Sequence, residues 1–185
     1  MPTIIVPKII ERTNPSLPLI FLAGPIHGGG DWQWQMATAL IRECPDVQIA
    51  CPCRWNEVHP LSSYFIRPFS LAPNRQLYWE RHYMERAALN PKQRGCVLFW
   101  FGLEDRKNPH QGPGPYAMDT RREIGKFTAF KKMSPATRIV IGGSEAFYGL
   151  SVIRDELDDA AGVRFPFYTD MGELASMALQ TATRG

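Results

Sequence analysis

The chain has 185 residues, room for one compact domain with a substantial core and too few for two ordinary ones. Hydrophobic residues make up 44% and charged residues 21%, a globular mixture that excludes a disordered or fibrous architecture. The net charge is only +3 and the two signs are mixed along the chain, so there is no concentrated positive stripe for a nucleic-acid backbone, while a small anion remains within reach of one or two arginines.

The opening segment "MPTIIVPKII" carries Lys8 inside its apolar stretch and no small-residue cleavage site. No apolar run approaches membrane-spanning length, so the expectation is a cytoplasmic protein with neither a leader nor a membrane partner. The four cysteines, Cys44, Cys51, Cys53 and Cys96, form no paired C-x-x-C knuckle. Cys51-Pro52-Cys53 reads as small apolar residues at the end of a buried strand, so no metal and no organic cofactor are expected.

Short apolar runs then alternate with longer segments of helical period, the pattern of an α/β fold with an open, mostly parallel sheet covered by helices on both faces. The runs "PLIFLAG" (18–24), "VQIACP" (47–52), "CVLFWFGL" (96–103), "RIVIGG" (138–143) and "VRFPFY" (163–168) predict five strands. Helices are predicted over 31–44, 75–89, 119–133, 149–162 and 171–182. In the last, Leu174, Met177 and Ala178 share one face. A strand order of 2-1-3-4-5 puts the ligand crevice where the loops after the first and third strands meet. The whole chain, 1–185, reads as a single domain.

Three loops carry the chemistry. "AGPIHGGGDW" (23–32) joins the first strand to its helix, and its glycines let backbone approach a ligand, although it is neither a phosphate-binding loop nor a G-x-G-x-x-G dinucleotide fingerprint. A plain turn with Asp31 near the helix cap explains it equally. The connections 53–74 and 104–118 are longer than packing needs, which in a compact domain points to function. Within "GPYAMDTRREIGKF", Thr120-Arg121-Arg122-Glu123 matches a capping box, with Thr120 as cap and Glu123 reaching back to it. Glu123 is equally suited, on the first turn of a helix at a pocket rim, to attack an electrophilic sugar carbon.

Taken together, "IFLAGPI", "DWQ", the Pro-Cys-Arg after the second strand, "YWERHYMERA" before "VLFWF", and "TRREIG" opening a helix resemble the nucleoside 2-deoxyribosyltransferase-like superfamily over about residues 18 to 143. Deoxynucleoside monophosphate N-glycosidases are more distant relatives in the same pattern. The resemblance implies a flavodoxin-like fold, a homo-oligomer, and exchange or cleavage of the N-glycosidic bond of a 2′-deoxyribonucleoside or its monophosphate. It also makes Glu123, with Ile124 and Gly125 of the E-x-G motif, the nucleophile. Gly24, Pro25, Asp31 and Trp32 match the family's first ligand loop, and Trp79 and Glu80 fall where a pocket-facing residue is common. Asp119, four residues before Glu123, is the first candidate for the acid that protonates the leaving base. A helix-start aspartate facing the dipole explains it as well.

Arg54 and Tyr116 complete the substrate-binding candidates, and Trp32 is suited to stacking on a base. His27 lies in the first loop, while His59, His82 and His110 show no spacing that reads as a ligand set. A phosphate would find the Gly28–Gly30 amides and the Arg121-Arg122 pair. Two other readings stay open: a non-catalytic nucleotide-binding sensor using the same crevice, and an N-glycoside hydrolase of a modified nucleoside.

Overall fold

A computed structural model describes residues 1–7, 10–52, 60–64 and 76–184. The elements run β1 (Thr3–Ile5), β2 (Leu19–Ala23), α1 (Trp32–Glu43), β3 (Gln48–Ala50), a 3₁₀ turn (Ser62–Tyr64), α2 (Gln76–Leu89), β4 (Gly95–Phe101), α3 (Met118–Met133), β5 (Ile139–Gly143), α4 (Leu150–Ala161), β6 (Phe167–Tyr168) and α5 (Met171–Thr183).

The strands form one six-stranded sheet, ordered β1-β3-β2-β4-β5-β6, and every neighbouring pair is parallel. The expected five-stranded sheet of order 2-1-3-4-5 is corrected on this point. Thr3–Ile5 adds a strand outside β3, pairing Ile4 with Ile49. Three residues bracketed by Pro2 and Pro7 are too short a run to carry a strand signal of their own. The difference lies at that edge, since the other five strands neighbour one another as β3-β2-β4-β5-β6. The last strand is also shorter than the predicted 163–168. It keeps only Phe167 and Tyr168, after Val163 has stayed exposed and Pro166 has supplied no ladder donor.

The central strands show no polar alternation because both of their faces are covered. Phe21, Val97, Phe99 and Phe101 point to one side, where Trp79 and Tyr83 of α2, Ile124 and Phe127 of α3, and Leu150 and Leu157 of α4 close over them. Ile20, Leu22 and Leu98 point to the other, where Met36 and Leu40 of α1 meet Leu174 and Ala178 of α5. Met177 only borders that cluster. Truncating a fully buried ring such as Phe127 to alanine would cost about 3–5 kcal/mol.

A polar anchor ties the amino-terminal edge of the sheet. The Arg138 guanidinium donates to the carbonyls of Gly95 (2.7 Å), Asn90 (2.7 Å), Gln93 (3.0 Å) and Ala87 (3.1 Å), binding the end of α2 to the start of β4. Buried Thr13 donates to Gln93 (2.8 Å), and Gln93 in turn donates to the Leu17 carbonyl (3.1 Å), fastening the segment before β2 to the same place.

Candidate active site

A cavity of about 510 Å³ opens at the opposite, carboxyl edge of the sheet. Its walls come from the end of β2 and the loop after it, Pro52 after β3, the first turns of α2, the loop after β4, and the start of α3. Crevices outside the carboxyl ends of neighbouring strands are where open α/β sheets bind ligands.

Glu123 lies in this wall, and the capping-box reading is corrected. Helix α3 begins at Met118 with Ala117 as its N-cap, so Thr120 is a buried residue within the first turn and Glu123 belongs to the second. No side chain caps the helix. Ala117 instead takes a left-handed conformation at φ +59°, a strained setting for a residue with a Cβ, and it borders the cavity. The helical period then puts Ile124 and Phe127 on the sheet and turns Glu123 and Asp119 toward the crevice.

The Glu123 carboxyl is half-buried, and among the described residues no hydrogen bond reaches it. Its pKa is pushed up to about 8, first by loss of hydration and then by the nearby charges of Glu80 and Asp119, against weaker pulls from Lys126 and Arg122. Glu80 lines the same cavity from α2 and accepts from the Gln76 side chain at 2.9 Å. Asp119 sits at the rim with its side chain 81% exposed, 3.5 Å from Arg122. The crevice thus gathers three carboxyl groups from two helices.

Gly24 and Pro25 also line the cavity. Trp32, expected to stack on a ligand, is not among the lining residues: it is buried behind the first loop, where its indole N–H donates to the Pro25 carbonyl at 2.8 Å. Buried Gln33 donates to the same oxygen at 3.2 Å, so both side chains shape the loop from beneath. Asp31 is exposed at the N-cap position of α1 and makes no capping bond. Trp79 is buried against Phe21 and Tyr83, one residue from Glu80 but turned into the core, with its indole N–H unpartnered among the described residues. Tyr116 donates to the Gly102 carbonyl at 3.0 Å and packs near Phe147; loss of hydration pushes its hydroxyl up to about 12, so it acts as a strut for its loop. Arg54 and His59 lie outside the described residues.

The expected phosphate groups are also elsewhere. Arg121 stacks over the Phe147 ring, 4.4 Å from its centroid, and Arg122 reaches back to Asp119. Neither they nor Gly28–Gly30 line the cavity. Gly28 serves a different purpose: at φ +74° it passes so close to the next loop that a Cβ there would lie 2.6 Å from the His110 amide nitrogen. The Asp105 amide donates to the Gly28 carbonyl at 2.7 Å, clasping the two loops together. This clasp brings His110 to the wall of the cavity that His27 also lines, a position its sequence spacing gave no sign of.

Among the described residues no cluster of three or more His, Cys, Asp or Glu side chains is arranged to hold a metal ion, and no helix is long and apolar enough to cross a membrane. The sequence matches no protein-family model, and no curated protein is significantly similar to it.

Proposed function

We propose that this chain is a nucleoside 2-deoxyribosyltransferase-like enzyme of flavodoxin-like topology, cleaving or exchanging the N-glycosidic bond of a 2′-deoxyribonucleoside. The observation that carries the reading is Glu123, a half-buried carboxyl without hydrogen-bond partners among the described residues, in the wall of the crevice at the carboxyl edge of the sheet. Breaking the bond between a base and C1′ develops oxocarbenium character, which an adjacent carboxylate stabilises before it forms a glycosyl ester. With a pKa near 8, Glu123 becomes a nucleophile as pH rises past neutrality.

Glu80 and Asp119 accept hydrogen bonds from sugar hydroxyls in this reading, and the Gly24-Pro25 backbone approaches the ring. The unphosphorylated nucleoside is favoured over its monophosphate because Arg121 is engaged by Phe147 and Arg122 by Asp119. Apolar Phe21 and Leu77 on the wall favour transfer to a second base over loss to water. The enzyme is proposed to act in the cytoplasm without a cofactor, as a homo-oligomer; exposed Leu77 (66%), which lines the cavity, and its neighbour Tyr78 (65%) are apolar surface suited to such an assembly.

The test is a panel of deoxynucleosides, each incubated with an excess of labelled free base. Exchanged nucleoside or released base is expected from the wild type, and loss of both from a folded Glu123→Gln variant. Full turnover by that variant would reject the reading.

A further inference from the structure

The loop clasp described above sets His110 in an arrangement that a lining role alone does not require. Its Nδ1 lies 3.3 Å from Oε1 of Glu104, and its own backbone N–H donates to that same oxygen at 2.8 Å. One carboxylate therefore fixes both the main chain and the ring of the residue. Facing an acceptor-only carboxylate, Nδ1 must carry the proton, which leaves Nε2 as the working nitrogen. His110 and Gly112 both line the cavity, and a Cβ built on Gly112 would lie 3.9 Å from that nitrogen. The imidazole is 22% exposed and Glu104 37%, enough for a ligand to reach the ring while the pair stays ordered. A base held in place by a second carboxylate is the usual form of a proton-transferring histidine.

We propose that His110 is the acid and base of the reaction, held by Glu104 as a positioning residue; the proposal rests on the N-glycosidic reading of the pocket. In the first half, a Glu123 oxygen bonds to C1′ as the C1′–N bond breaks. The electron pair of that bond goes to the departing base, which takes the proton from Nε2 of the His110 imidazolium. In the second half, the nitrogen of an incoming base displaces Glu123 from C1′ and gives its proton to Nε2, restoring both groups. Asp119 suits this role less well, because its exposed carboxyl lies at the rim against Arg122.

Two substrates separate the proposal from the reading beneath it. A natural purine deoxynucleoside needs a proton on its leaving base, whereas N7-methyl-2′-deoxyguanosine carries a positive charge and departs neutral without one. His110→Asn is expected to slow the first by roughly 10²–10⁴-fold and the second by less than about tenfold. Glu123→Gln is expected to abolish both. Equal loss on both substrates in His110→Asn, or no loss on either, overturns the role of His110 while leaving the reading intact. Persistence of both activities in Glu123→Gln, or no cleavage of either by the wild type, removes the reading and the proposal together. Nitrogen NMR of the neutral imidazole gives a readout independent of turnover: the Nδ1–H tautomer is expected in the wild type and a mixture in Glu104→Gln. An Nε2–H tautomer in the wild type would overturn the proposal.

Discussion

Replacing Glu123 by glutamine should stabilise the protein, and only above about pH 5, by a margin that grows toward pH 8. In an unfolded chain the carboxyl ionises near 4.5, while in the folded protein it holds its proton to about 8. Between those values the folded state binds one proton more than the unfolded state, so stability falls as pH rises through this window. Integrating about 1.4 kcal/mol per pH unit across it gives an upper bound near 5 kcal/mol. Because the group is only half-buried, solvent screening cuts this to about 1–2 kcal/mol. Glutamine keeps the shape and never ionises. Thermal melts from pH 4 to pH 9 should therefore coincide at the acid end and diverge above pH 5, with the variant melting roughly 2–8 °C higher at pH 8.5. A capping glutamate predicts the opposite, a loss of about 1 kcal/mol. A variant that melts below the wild type at pH 8.5, or by the same margin at every pH, would refute the argument.

Cleavage of N7-methyl-2′-deoxyguanosine, whose base leaves without a proton from His110, should rise with pH toward a plateau set near 8 by ionisation of Glu123; a rate that falls over pH 7–9 on that substrate would deny Glu123 the nucleophile's part. Glu80→Gln removes the larger of the two like-charge neighbours and should move that midpoint to lower pH, with Asp119→Asn moving it less; midpoints unmoved in both would show that the carboxyls do not couple. Gly28→Ala should cost more stability than Gly30→Ala and also slow exchange. Both sites have positive φ, but only the Gly28 methyl meets the His110 backbone, and calorimetry with exchange kinetics checks the pair. Arg121→Ala should lose about 0.5–2 kcal/mol with its ring contact to Phe147 and leave the ratio of nucleoside to 5′-monophosphate turnover unchanged, as a parallel titration of both substrates would show.

The five helices were legible because each buries a stripe at helical spacing, as Trp32, Met36 and Leu40 do in α1. The central strands were legible because both faces are buried, so a run such as Gly95–Phe101 is apolar throughout. The edges were not. β1 and β6 have three and two residues, and their pairing comes from neighbours distant in the chain. In the site, topology was enough to bring Glu123 to the crevice. It was not enough to tell a residue that lines a wall from one that backs it. Trp79 sits beside the lining residue Glu80 in sequence, yet a single helical step turns its indole into the core, and Trp32 opens the helix behind the first loop rather than the loop's lining face. His110 failed for the reverse reason: a Gly/Pro-rich loop has no period, and the residue's position depends on its approach to Gly28, 82 positions earlier.

The Arg138 cage and the Glu123 crevice occupy opposite edges of one sheet, about the full length of β4 and β5 apart. The groups that knit the chain together are therefore not the groups that line the crevice. Sequence drift in the loops that line the crevice can alter which molecule is accepted without loosening the guanidinium knot beneath, and the fold retains its integrity while its specificity is rewritten. Such a division gives the scaffold evolutionary latitude: descendants of one ancestor can diverge in what they bind while still melting together.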